Sequence, residues 1–292
     1  MFTLRQLEFA VAVAEEGSFT AAAERCHTVQ SALSHQIAKL EEQLGARLFE
    51  RGARQARVTA AGKVFLDNAR ATLDSAARLQ DEVAQAAGTV RGRLQIGLIS
   101  SLVTVPVPAL LGRFRDTYPQ VEVHMRTGMS DALLADLDED RLDVALVGVG
   151  PHIPLPQQRV LLHEEGLALI AASGHPLAAR KRVALAALDD VPMVGLIAGS
   201  GVRGITDAAF REAGLRQRVQ YEATHADLIR QLVVAGLGVA IVPQTMAAIM
   251  REVTVVPLAG RHRFLTYVCW RRDPTPAARA FVELIRRECL PG

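Results

Sequence analysis

Three patterns in the 292-residue sequence predict its fold class: short amphipathic helices first, one long helix next, then alternating strands and helices. That order implies an all-α, winged helix-turn-helix domain over 1–59, a linker and dimerisation helix over 60–88, and an α/β domain of two lobes over 89–292. Half the residues are apolar and 22% are charged, the composition of an ordinary globular chain. The formal net charge is only +2, so a nucleic-acid surface has to arise from local clustering of cations.

The N-terminal elements follow from periodicity and punctuation. Leu4, Leu7, Val11 and Ala14 recur at three and four, as one face of a helix does, and Gly17 ends it. Ser18 or Thr20 can cap a second helix rich in alanine, Ala21 to Glu24. His27, Thr28 and Val29 form a turn into a third helix, from about Gln30 to Leu44, stopped by Gly45. On that third helix Leu33, Ile37, Leu40 and Leu44 share one face and are candidates for burial. Ser31, His35 and Lys39 lie opposite, with Ser34 and Gln36 on the flanks and Gln30 at the start. Short hydrogen-bonding side chains followed by a cation suit a helix in the major groove. A solvated helix face has the same polarity, so the wheel needs support from its surroundings.

That support comes from residues 47–63, where Arg47, Arg51, Arg54, Arg57 and Lys63 stand against the single acid Glu50. Gly52 permits a turn between Leu48-Phe49 and Val58-Thr59, which reads as a hairpin wing with cations at its tip. From Thr59 to Ala87 the sequence has no proline. Leu66, Leu73, Gln80 and Ala87 recur every seven residues, with Ala69, Ala76 and Val83 between them. Such a seam on a long helix calls for a partner helix.

Beyond Gly88 the expected strands are Leu94–Ile99, Val121–Arg126, Asp143–Val149, Leu167–Ala172, Met193–Leu196, Val219–Ala223, Val239–Val242 and Phe264–Trp270. Helices are expected at Val107–Arg115, Ala132–Glu139, Arg203–Ala213, Ala226–Ala235 and Ala277–Cys289. The lobes divide at about 89–161 with 266–292, and 162–265.

The stretch SFTAAAERCHTVQSALSHQIAKLEEQLGARLFER, followed by VTAAGK, resembles the LysR-type transcriptional regulators. The similarity is dense from Leu4 to Lys63, and the order of later elements also fits. Ser31, Cys26 and His35 depart from the residues usual at their positions. The resemblance implies sequence-specific binding to promoter DNA, with Gln30, Ser31, Ser34, His35, Gln36, Lys39, Arg51, Arg54 and Arg57 as the contact residues. It implies a periplasmic-binding-protein-like sensor domain holding a small-molecule effector between its lobes. It also implies a homodimer or homotetramer, with RNA polymerase as a further candidate partner.

In a two-lobed α/β cleft, ligands sit at strand ends and helix N-termini. Ser100 and Ser101 follow the first strand, and Thr127 and Met129 follow the second. Ser200 precedes a helix carrying Arg203, and Thr224 and His225 open another. These eight residues are the candidate effector contacts, and an organic anion fits their hydroxyls and free amides. Ser200, Thr224 and His225 also suit plain helix caps, and Arg203 suits either an anionic effector or solvent.

Other classes find little support. An enzyme would be expected to show GxSxG, a P-loop or HExxH, and none of these occurs. A stand-alone solute-binding protein leaves the first 60 residues unexplained, and a regulator without an effector remains an alternative. The cysteines Cys26, Cys269 and Cys289 have no metal-ligand or disulfide spacing, so neither a cofactor nor a metal is expected. The resemblance to the LysR type argues against thiol sensing, because the paired mid-domain cysteines of its peroxide-sensing members are absent. Without an apolar leader or spanning segment, the expected location is the cytoplasm rather than a membrane.

Overall fold

The computed structural model describes residues 2–50 and 56–290. The chain divides into two compact units, Met1–Ala87 and Gly88–Gly292.

The first unit contains α1 (Leu4–Glu16), α2 (Phe19–Arg25), α3 (Gln30–Leu44) and α4 (Ala60–Ala86). Thr3 and Gln6 cap α1 reciprocally, and Gly17 closes it with a left-handed φ of 63°. Ser18, not Thr20, caps α2 by accepting from the Ala21 amide. The turn into α3 passes through His27 at φ 50°, and Gly45 ends α3 at φ 66°. Phe9, Val13, Ala22, Leu33, Ile37 and Leu40 pack with Leu48, Phe49 and Leu66 into one core. Leu44 departs from expectation: it is exposed, because the helix stops there and its last turn projects past that core.

The base of the expected wing is present as an antiparallel bridge between Phe49 and Val58. The Glu50 amide donates to the Arg57 carbonyl at 2.9 Å. The Glu41 carboxylate of α3 accepts from the Leu48 and Phe49 amides at 2.7 and 3.1 Å, tying α3 to the first strand of the wing bridge. Gly62 lies so close that an added Cβ would stand 2.2 Å from the Leu48 carbonyl oxygen. Along α4 the seam is uneven: Leu66 and Ala69 are buried in this unit, Leu73 and Ala76 half-buried, and Gln80, Val83 and Ala87 exposed.

The second unit contains β1 (Gly92–Ile99), α5 (Val107–Thr117), β2 (Val121–Gly128), α6 (Ser130–Asp138), β3 (Val144–Val149) and β4 (Arg159–Ala171). It continues with β5 (Pro192–Leu196), α7 (Gly201–Glu212), β6 (Arg218–Ala223), α8 (Ala226–Val234) and β7 (Ala240–Pro243). It ends with α9 (Gln244–Ile249), β8 (Thr254–Pro257), β9 (Arg263–Trp270) and α10 (Pro276–Cys289). One sheet runs β2-β1-β3-β9-β4-β7, with β8 also on β4, while β5 and β6 pair separately in parallel.

β4 is far longer than the expected strand from Leu167. Its first half pairs with β9, and its second half pairs with β7 and β8. The proposed lobe boundary at 161/162 therefore falls inside a strand. The polar His163-Glu164-Glu165-Gly166 run and a bulge near Leu161 hide that continuity from the alternation rule. Two cores result. Leu94, Leu110, Phe114, Val144, Val268 and Phe281 fill one, and Phe114 meets Phe281 edge-to-face at 5.2 Å. Leu169, Val194, Ile229, Val242, Met246 and Val256 belong to the other.

Candidate functional site: a nucleic-acid interface and an interlobe cleft

The first site is the outer face of α3. Ser31, His35 and Lys39 are exposed there, while Leu33, Ile37 and Leu40 face the core. No side chain caps the first turn of α3. Open N–H groups of a first turn carry partial positive charge and suit a phosphate. Gln30 donates to the half-buried Ser34 hydroxyl at 3.2 Å. Gln36 is also half-buried, and its side-chain oxygen accepts from the Gln6 amide group at 3.2 Å. Gln6 itself is 4% exposed, so α1 orients Gln36 from beneath. Gln6 was not a sequence candidate, and its only signal was a polar residue amid an apolar periodic face. Arg57 is exposed beside the wing bridge, whereas Arg51 and Arg54 lie outside the described residues.

The second site lies between the ends of β1, β2 and β5 and the starts of α6 and α7. Ser100, Ser101, Met129 and Ser200 line a cavity of about 10 Å³, joined by Ile99, Gly128, Ser130, Leu196, Gly201 and Val202. That volume holds about one water molecule. The cleft is latched shut. The Ser100 hydroxyl donates to the Thr224 carbonyl at 2.8 Å, and the Asp131 amide meets the Gly199 carbonyl at 3.5 Å. The buried Ser130 hydroxyl donates to the Gly148 carbonyl at 2.7 Å. An added Cβ on Gly201 would lie 1.8 Å from that same carbonyl oxygen, so α7 starts in direct contact with β3. Ser130 and Gly128 were missed in the sequence, because only the fold reveals which strand they face.

Several candidates take other positions. Ser200 caps α7, its hydroxyl accepting from the Arg203 amide at 3.2 Å. Thr224 contributes its backbone carbonyl rather than its hydroxyl to the latch. Thr127 and His225 are exposed and do not line the cavity. Arg203 is half-buried and engaged by its own lobe. It pairs with Asp207 at 2.7 Å and Glu222 at 2.6 Å, and also donates to the Leu196 carbonyl. Burial alone would lower its pKa, but hydrogen bonds to Glu222 and Asp207 raise it, so the cation is held by its own lobe. No cysteine lines the cavity. Cys269 is buried, and that burial pushes its thiol up to about 12. Among the described residues, no group of three His, Cys, Asp or Glu side chains could hold a metal. Nor, among them, is any helix long and apolar enough to cross a membrane.

Comparison with known proteins places this geometry. Residues 4–63 match the bacterial regulatory helix-turn-helix protein of the lysR family, and residues 87–290 match the LysR substrate binding domain. The chain belongs to the LysR family. This LysR-type chain is a DNA-binding transcription regulator with an effector-binding domain, and not an enzyme. It is 32% identical to the DNA-binding transcriptional dual regulator OxyR of Escherichia coli K12, over 82% of this chain and 78% of that protein. It is 30% identical to a RuBisCO operon transcriptional regulator of Allochromatium vinosum, over 98% and 96%. The solved structure of full-length CbnR complexed with its target DNA shares 28% identity and a TM-score of 0.68, covering 98% of this chain and 99% of that one. Regulators of this family bind promoter DNA, take small-molecule effectors and act as oligomers.

Proposed function

We propose that this LysR-type regulator reads its operator with α3, through Gln30, Ser31, Ser34, His35 and Gln36. Lys39 and Arg57 contact phosphates, as do Arg51 and Arg54 of the wing segment. The observation that carries this reading is the opposed pair of faces on α3, apolar side buried and polar side open. CbnR, bound to its target DNA in a related structure, supports it. The protein acts in the cytoplasm as a homodimer or homotetramer. Exposed Leu79 and Val83 on α4 supply apolar surface for a second copy. Activation would proceed through contact with RNA polymerase.

The effector enters the cleft bordered by Ser100, Ser101, Met129, Ser130 and Ser200. It is a small molecule with an acceptor oxygen, uncharged or singly anionic, held by hydroxyls and the first turns of α6 and α7. Lining residues include no cation, which disfavours a polyanion. Because the cavity is water-sized, any larger effector has to break the Ser100 latch and part the lobes.

A gel-shift titration with the intergenic DNA beside its own gene, under excess nonspecific competitor, tests the DNA reading. A competitor-resistant shift that a Ser34→Ala, Lys39→Ala double variant loses is the expected outcome. Equal binding by the variant would overturn the assignment of α3. Thermal stabilisation by candidate small acids and alcohols tests the cleft, since a ligand of the folded state raises its stability.

A further inference from the structure

Cations are segregated on the second unit in a way the near-neutral total charge conceals. Residues 172–188 and 253–263 contain no acid, yet they carry Arg180, Lys181, Arg182, Arg261 and Arg263. The fold joins these distant segments. The Val183 amide donates to the Pro257 carbonyl at 3.0 Å, and the Ala259 amide donates to the Val183 carbonyl at 2.8 Å. Arg180, Lys181, Arg182 and Arg261 therefore sit within three residues of one backbone pairing. The pairing is parallel, so Arg261 leaves it in the direction opposite to Arg180, and the four cations form a row of up to about 20 Å. All four are exposed, and among the described residues none joins an ion pair. Arg263, by contrast, is paired with Glu164.

Unneutralised cations set in a row, three of them consecutive in the chain, repel their neighbours and gain no partner within the fold. They suit a polyanion outside it. Neither segment contains Phe, Tyr or Trp, the residues that anchor protein–protein hot spots. Flexible cations without an anchor are what a phosphate backbone needs, because that contact is Coulombic and carries no base information. The polyanion this regulator already holds is duplex DNA, and one bound domain raises the local concentration of DNA around the rest of the chain.

We propose that the Arg180-Lys181-Arg182 and Arg261 patch is a second, sequence-independent contact to duplex DNA, separate from the helix-turn-helix. It adds affinity for DNA beyond the operator without altering which operator is chosen.

The test uses the full chain and a long mixed-sequence duplex, with binding followed by fluorescence anisotropy across a salt series. The variant carries Arg180→Gln, Lys181→Gln, Arg182→Gln and Arg261→Gln. Each lost phosphate contact reduces the slope of log K against log salt by about 0.9, so four contacts amount to roughly 3.6. Lysine at the three arginine positions retains the charge and the slope. Lys181→Gln alone, far less disruptive to folding, reduces the slope by about 0.9. A Lys39→Ala change lowers the slope independently, and its effect adds to that of the patch. Unchanged slope and affinity in the quadruple variant overturn the proposal. Unchanged DNA binding with lost transcription in a reconstituted reaction also overturns it, and assigns the patch to an acidic protein surface.

Discussion

Gly201→Ala is the sharpest probe of the cleft, because Gly204 three residues later provides its control within the same helix. An alanine Cβ at 201 would lie 1.8 Å from the Gly148 carbonyl oxygen and 3.0 Å from the Val149 Cα. An ordinary contact is about 3.5 Å, so α7 or β3 has to retreat by roughly 1.7 Å. Both obstacles are backbone, so no rotamer change relieves them. Overpacking of this kind costs about 1–3 kcal/mol. Losing the neighbouring Ser100–Thr224 bond adds about 0.5–1.5 kcal/mol, giving about 1.5–4.5 kcal/mol in all. At Gly204 nothing lies within 4 Å of an added Cβ. Alanine there gains about 0.4–1 kcal/mol by restricting the unfolded chain. Trp270, the sole tryptophan, lies on β9, so its fluorescence follows unfolding of the second unit alone. For a unit of this size 1 kcal/mol corresponds to about 2–4 °C. Gly201→Ala should then melt roughly 3–18 °C lower, and Gly204→Ala about 1–4 °C higher. A Gly201→Ala protein as stable as the parent, or equal losses at both glycines, would refute the packed-cleft geometry.

Other perturbations have equally definite outcomes. Glu41→Ala removes the carboxylate that accepts from the Leu48 and Phe49 amides and should cost about 1.5–3 kcal/mol. Circular dichroism should show a lower melting point together with weaker DNA binding, and an unchanged pair of values would show that Glu41 does not hold the wing. Gly62→Ala should be worse tolerated still, since its Cβ meets the Leu48 carbonyl at 2.2 Å; a variant melting with the parent would contradict that contact. Cys269, its thiol pushed up to about 12 by burial, stays protonated through physiological pH. It should resist a thiol reagent at neutral pH until the chain is unfolded, and rapid native labelling at Cys269 would disprove its burial. Burial alone would raise the pKa of Asp136, but hydrogen bonds from Arg126 and Arg141 outweigh it and hold the carboxyl low. A lowered folded pKa contributes stability above the unfolded value and loses it as pH falls. The stability gap between the parent and Asp136→Asn should therefore narrow on acidification, and a gap constant with pH would count against the pairing.

Much of the first unit was legible because its signals are local. Capping serines and threonines, Gly17, Gly45 and the leucine period of α3 lie within a few residues of what they specify. A hydrogen bond between neighbours in sequence does not need the rest of the fold. The cationic wing and the long helix were readable for the same reason. α9, only six residues long, was missed because that length is shorter than a helical periodicity window.

The cleft was legible only as a set of element ends. Sequence reasoning located Ser100, Ser101, Met129 and Ser200 because strand ends and helix starts can be found locally. It did not foresee the ion pairs of Arg203: Asp207 lies one turn along the same helix, whereas Glu222, 19 residues away, meets it through the placement of β6 beside β5. Gly148 and Gly201, 53 residues apart, are in contact for a comparable reason. The sequence by itself therefore determined the order of elements, their caps and the polarity of the DNA-facing helix, all governed by short-range backbone chemistry. Tertiary structure alone decided which hydroxyls share a cavity, which cation is neutralised and how tightly the lobes close, because those depend on close packing between distant segments.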